Sequence, residues 1–223
     1  MPHAQLELTS DELLSTTRAV RKRLDFDRPI DDATLKECLQ LATQAPTGSN
    51  AQGWQFMFVR DAAKKEKLAE YYLETWNFYK TQPYAIHALH KNAGKDQEAS
   101  QERSTSSAQY LADNMAKAPV LMIPCIEGRT DVPEGAPVMA QASLFGSIIP
   151  AAWSFMLAAR SRGIGSAWTT LHLMNEKTIA ELLGIPFDQY MQVAMIPLAY
   201  TKGTNFKPAF RPPVETIMHI DSW

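Results

Sequence analysis

The chain has only two cysteines, Cys38 and Cys125, in 223 residues. That is too few for a disulfide framework, and they lack the Cys-x-x-Cys spacing of a metal or redox site. No charge of one sign dominates: 22 basic and 24 acidic residues leave a formal net charge of -2. Without a polycationic surface to release counterions from phosphate backbones, nucleic acid is not an expected partner. Long apolar runs are missing as well. The best of them, Ser147 to Ala159, is broken by Ser, Pro and Trp and falls short of a membrane span. The opening "MPHAQLELTS" has no apolar core of a secretory signal. These absences lead us to expect a reduced, cytoplasmic protein. The common catalytic spacings are also lacking: there is no Gly-x-Gly-x-x-Gly, no phosphate loop, no Gly-x-Ser-x-Gly and no His-Glu-x-x-His. His87 and His90 lie three apart, but two such ligands without a nearby carboxylate or Cys make no metal site, and His3, His172 and His219 are scattered.

What is present describes one folding unit spanning 1–223, with 45% apolar and 21% charged residues. Thr9 and Glu12 have capping-box spacing and predict a first helix carrying Arg18, Arg21, Lys22 and Arg23. A second helix begins near Asp31 or Asp32 and ends before Pro46. "WQFMFV" (54–59) and "PVLMIPCI" (119–126) are continuous apolar runs of strand length, the pattern of strands buried on both faces. A helix over about 62–80 separates them. It is followed by a polar stretch, 81–107, which reads as loop or short helices leading into a helix ending near Lys117. A helix over about 139–162 is apolar nearly all round, which predicts a central position or a subunit interface, and Pro150 lies inside it. "SAWTTL" and "YMQVAMIPLAY" (190–200) read as strands, with a short helix ending at Gly184 between them. Strands alternating with helices indicate a sheet flanked by helices, either α/β or α+β.

Three features can carry chemistry. In "RAVRKR" (18–23), Arg18 and Arg21 would share a helix face and clamp a phosphate by forked hydrogen bonds, although a solvated helix end reads the same way. In "APTGSNAQGW" (45–54), Asn50 and Gln52 offer donors and acceptors to a polar heterocycle, although an ordinary helix-to-strand loop is equally compatible. In "GIGSAWTTL" (163–171), the glycines allow backbone to approach a flat ligand closely, while a plain turn before a core strand competes.

Taken in order with the tail "FKPAFRPP", these features resemble the nitroreductase family of FMN-dependent oxidoreductases. "APTGSNAQGWQF" is similar to that family's Ala-Pro-Ser-x-x-Asn-x-Gln-Pro-Trp stretch. The resemblance covers most of the chain. It implies an α+β fold with a mixed, mainly antiparallel central sheet, assembled as an intertwined homodimer with FMN at the subunit interface.

Under the resemblance, Arg18, Ala19 and Arg21 would hold the FMN phosphate and ribityl chain, aided by Arg211. Pro46, Thr47, Gly48, Asn50 and Gln52 would line the flavin bound mainly by the partner. Trp168, Thr169, Thr170 and Leu171 would run along the isoalloxazine ring, with a backbone N–H of Thr170 or Leu171 directed at N5. NADH or NADPH would reduce the flavin and leave, and a nitroaromatic, quinone or similar flat acceptor would then be reduced in the same pocket. No side chain acts as a catalytic group, because the flavin supplies the chemistry. Aromatic residues of 76–94, namely Trp76, Phe78, Tyr79 and Tyr84, would wall the acceptor side. The sequence departs from the family pattern at Ala19 in place of Ser, at Gly53 in place of Pro, and at Ala209 in place of Lys, with Lys207 nearby. Relatives with dehalogenase, flavin-fragmenting or azoline-oxidase chemistry, and a non-catalytic flavin-binding dimer, are the alternative readings.

Overall fold

The computed structural model describes residues 5–91, 93–132 and 134–223. Helix α1 (Ser10–Thr16) starts at the predicted capping box, with Thr9 and Glu12 each satisfying the other's backbone N–H. It ends well before the arginines. Thr17 is extended and its hydroxyl donates to the Leu13 carbonyl, Ala19 forms a parallel bridge with Ser166, and the Val20 N–H donates to the Ser166 carbonyl. The arginines therefore lie on an extended segment at the sheet margin, and Arg18 and Arg21 do not share a helix face. Burial of Val20 and Leu24 in the core outweighs the good helical propensity of the Arg and Lys residues between them.

The sheet is built from β1 (Leu24–Asp25), β2 (Trp54–Val59), β3 (Val120–Glu127), β4 (Ile164–Ser166), β5 (Tyr190–Gln192) and β6 (Ile196–Thr201). Its order is β1-β6-β3-β2, with β4 beside β6 and β5 beside β3. Every strand pair is antiparallel, and parallel pairing is confined to the isolated bridges at Ala19 and Gly128. β3 is the central strand and is buried on both faces, as its apolar run predicted. Leu121, Ile123 and Cys125 join a core with α3 (Ala62–Tyr79) and α4 (Lys95–Asn114), whereas Val120 and Met122 join one with α2 (Asp32–Ala42) and α5 (Val138–Ser161). The result is helices on both faces of an antiparallel sheet, an α+β architecture.

The predicted strand over 190–200 is split in two. Met122 pairs with Ile196 and Cys125 with Gln192, so two residues of β3 face three of the opposite segment. This is a bulge, and it falls at Pro124, which has no N–H to donate to a ladder. Met195, released from β3, pairs instead with Thr169. "SAWTTL" is correspondingly not a strand: β4 stops at Ser166, and Leu171–Asn175 forms a 3-10 turn before α6 (Glu176–Leu183). In the polar stretch, α4 begins at Lys95, earlier than the sequence suggested. Its buried residues, Ala108, Leu111 and Ala112, are all in its last third, so its first half carries no periodic signal.

α5 packs across the sheet, with Phe155 fully buried against Phe56 and Phe58. At 24 residues it is, taken whole, long and apolar enough to cross a bilayer, although it is the helix that covers β3 and β4 here. One face stays bare: Val138 and Met139 are each 81% exposed, and Ile149 and Trp153 about 40%.

Candidate functional site

The arginine segment forms one wall of a cavity of about 750 Å³. The facing wall is the middle of α4, residues 100–107, with Ser100, Ser104 and Ser107 on one helical face and Ser106 beside them. Phe206, Pro208, Ala209 and Phe210 close a third side. Arg21 Nη1 donates to Ser107 Oγ (3.2 Å) and Lys22 Nζ to Ser106 Oγ (2.7 Å). Arg18 Nη1 donates to the Lys207 carbonyl (2.8 Å), which ties the tail to the cavity. The lining carries Arg18, Arg21, Lys22, Arg23 and Arg103 against a single carboxylate, Glu102. Such a donor set fits an anion, and the volume is that of a cofactor site.

From Arg21 the structure leads directly towards the 168–171 segment. Tyr72 of α3 is buried between the two; it feels the Arg21 charge and interacts with the Thr169 side chain. Burial pushes the Tyr72 phenol up to about 12, and burial also lowers Arg21 from its ordinary value. Thr169 is held from behind, its hydroxyl donating to the Met195 carbonyl and its own carbonyl accepting from the Met195 N–H. Thr170 is exposed, and Leu171 opens the 3-10 turn, where the first N–H groups lie outside the helical ladder. Ala19 reaches the same region through its bridge to Ser166.

The glycines of "GIG" serve the chain itself. A Cβ on Gly165 would lie 2.7 Å from Thr201 Cγ2 and 2.9 Å from Val20 Cβ, so glycine is what lets the arginine segment pack against β4. Gly163, at φ 75°, turns the chain out of α5.

The 46–52 turn lies elsewhere. Gly48–Asn50 is a single 3-10 turn in which Ser49 and Asn50, followed by Gln52, adopt φ between 52° and 55°, a left-handed conformation costly for residues with a Cβ. Its anchor is α5: the Gly48 N–H donates to Ser147 Oγ (3.0 Å), which donates to the Ser143 carbonyl. Gln52 Nε2 donates to Asn50 Oδ1 (3.0 Å), and the Gln52 N–H to Thr47 Oγ1 (3.2 Å). Gly53 is fitted to its place, since a Cβ there would approach Glu127 Cβ to 3.1 Å while its carbonyl accepts the Glu127 N–H. Pro46, Thr47, Gly48, Asn50 and Gln52 thus form a turn on α5 and do not line the arginine cavity. Arg211 does not line it either. It is exposed and donates to the Phe210 carbonyl, and Lys207 contributes its carbonyl to Arg18.

Several residues were invisible as site residues in the sequence: Arg103, Ser106, Ser107 and Phe206, which line the cavity, and Tyr72 beside Arg21. The one signal was the hydroxyl-rich run "SQERSTSS", whose purpose depends on α4 being helical. Trp76, read as a wall of the acceptor side, is buried in the core and donates to Gln109. Phe78 and Tyr84 are exposed. His87 and His90 line an adjoining cavity of about 610 Å³ that shares Glu102 and Ser106 with the first. Among the described residues no cluster of His, Cys, Asp or Glu is placed to hold a metal. Burial pushes Cys38 up to about 11 and Cys125 up to about 12, so neither is a thiolate at neutral pH. His172, unremarkable in sequence, is fully buried with both ring nitrogens unpartnered.

Comparison with known proteins supplies context for this geometry. The chain is 26% identical over 194 residues to a putative NADH dehydrogenase/NAD(P)H nitroreductase of Archaeoglobus fulgidus, covering 86% of this chain and 84% of that one. It is 24% identical over 160 residues to the 5,6-dimethylbenzimidazole synthase of Rhodospirillum rubrum, covering 71% and 67%. Among solved structures, an FMN- and NADPH-dependent nitroreductase from Sphigopyxis sp. strain HMH superimposes with a TM-score of 0.67 at 20% identity, over 97% of this chain and 100% of that one. The model of the Nitroreductase family matches residues 14–200, which takes in the arginine segment, the 46–52 turn and the 163–171 segment together. The chain belongs to the nitroreductase family.

Proposed function

We propose that this protein is an FMN-dependent oxidoreductase that passes hydride from NADH or NADPH to flat, electron-poor acceptors such as nitroaromatics and quinones by a ping-pong mechanism. The observation that carries the reading is the cavity of five cations and one carboxylate, joined through Tyr72 to the Thr169 side chain. When bound, FMN supplies the hydride chemistry, so the protein needs no acid, base or nucleophile of its own. Arg18 and Arg21 hold the phosphate, with Ser106 and Ser107 as further hydroxyl partners. The N–H of Thr170 or Leu171 offers a fixed dipole to the ring, where electron density changes on reduction. Tyr72 and the Thr169–Met195 pair keep that backbone in place.

The second half of the site comes from a partner. α5 leaves Val138, Met139, Ile149 and Trp153 bare, the 46–52 turn rides on the same helix, and the tail exposes Val214, Ile217, Met218, Ile220 and Trp223. Pairing two chains through these surfaces covers the apolar residues and carries Thr47, Gly48, Asn50 and Gln52 to the partner's flavin, with the tail bringing Arg211.

Reconstitution tests the reading. The purified protein is expected to show flavin absorbance or to regain it with added FMN, and NADH or NADPH is expected to bleach it in anaerobic stopped flow. A protein that cannot take up FMN overturns the proposal. The similarity to 5,6-dimethylbenzimidazole synthase favours one second reading, in which the flavin is kept and the reaction differs. Bound FMN that neither nicotinamide cofactor reduces would select it.

A further inference from the structure

Arg160, near the C-terminal end of α5, is 4% exposed, and its Nε and Nη1 have no hydrogen-bond partner. Only Nη2 is engaged, donating to the Thr204 carbonyl (3.0 Å) and to Thr16 Oγ1 (3.3 Å). Among the described residues no carboxylate pairs with it, and the charge that acts on it is a second cation, Arg23. Both guanidiniums sit against one ring: Arg23 lies 4.1 Å and Arg160 5.0 Å from the centre of Phe206. Phe206 and Arg23 in turn line the arginine cavity.

An unpaired buried cation is expensive to keep, and stacking on one aromatic ring offsets only part of that cost. A guanidinium cannot escape by losing its proton, so the charge stays. Its field is poorly screened where it sits, and it shares the Phe206 ring with Arg23, so the field reaches the cavity that Phe206 and Arg23 line. Hydrogen bonding alone does not explain the choice of residue, because two of the three nitrogens bind nothing. A negative charge in the cavity does.

We propose that Arg160 is a positioning cation for the flavin phosphate, acting from its place against Phe206 on the same anion that Arg18 and Arg21 would hold. This rests on the FMN reading above. Riboflavin, which has the same ring and ribityl chain without the phosphate, separates the electrostatic role from a structural one. The full-length apoprotein is titrated with FMN and with riboflavin by quenching of flavin fluorescence, and the ratio of the two affinities is compared among variants.

Arg160→Met is expected to lower the FMN-to-riboflavin ratio on the order of tenfold, the size of a charge–charge interaction across a partly screened distance. Arg160→Gln, which keeps a polar group for Thr16 and Thr204, is expected to do the same and serves if the Met variant does not fold. Arg160→Lys is expected to keep most of the ratio. An equal loss of both ligands, or an unchanged ratio in the Met or Gln variant, overturns the role and leaves Arg160 a structural residue. A wild-type protein indifferent to the phosphate overturns the cofactor reading as well, and so is told apart from a failure at Arg160 alone.

Discussion

His172 shows what a single residue can hide. It lies in the 3-10 turn between α3 and α6, fully buried, and burial holds its pKa down at about 3 against an ordinary value of 6.5. The folded state therefore binds a proton less readily than the unfolded chain. Its contribution to stability is complete above pH 6.5 and drains away as the pH falls through 6.5 towards 3. Between pH 7 and pH 4.5 this amounts to roughly 2–3 kcal/mol. His172→Leu removes the titrating group and the two unpartnered nitrogens together. Urea denaturation at the two pH values is expected to show the variant losing less stability than the wild type by about that amount, and equal losses would remove His172 from the account. Other acid-sensitive groups, such as Asp131 beside Arg129, act in both proteins and cancel in the comparison. The sequence offered no hint of this, since burial of a lone histidine is decided by packing from distant segments. By contrast, residue type alone made Arg18 and Arg21 candidates for one site, and both line one cavity, whereas the shared helix face imagined beneath them was wrong.

Among the elements, the bulge opposite Pro124 bears most directly on the site. It releases Met195 from β3 and hands it to Thr169, so the segment predicted to run beneath a flavin is fixed by a defect in the sheet. Thr169→Val keeps the shape and deletes the hydroxyl, leaving the Met195 carbonyl without that donor. A cost of about 1–2 kcal/mol is expected in urea denaturation, and an unchanged midpoint would show that the hydroxyl contributes nothing there. Apolar runs and caps were readable: β2, β3, α2, α3 and α5 stand close to where the pattern put them. What escaped were features that depend on a neighbour. α1 is cut short because Val20 and Leu24 are wanted in the core, and the 190–200 run is broken because the opposing strand contains a proline. Before its last third, α4 is helical without an apolar stripe because its middle faces a polar cavity.

At the scale of the molecule, the proposed site falls into two halves that do not meet within one chain. The cation-lined cavity with its Tyr72 and Thr169 connections is one half, and the left-handed 46–52 turn on α5 is the other. Their family motifs were legible in the sequence, whereas their separation was not, because order along the chain says nothing about which copy a loop serves. The dimeric proposal makes α5 the place to cut. Trp153→Glu sets a charge into the bare face of that helix and is expected to shift the protein from dimer to monomer in light scattering, with FMN lost in parallel. A monomer that keeps its FMN would end the shared-site idea. The division has a further consequence for anyone handling the protein. If each cofactor is gripped by two chains, its retention obeys the law of mass action in protein as well as in flavin, so colour and turnover per molecule fade together on dilution and return on concentration.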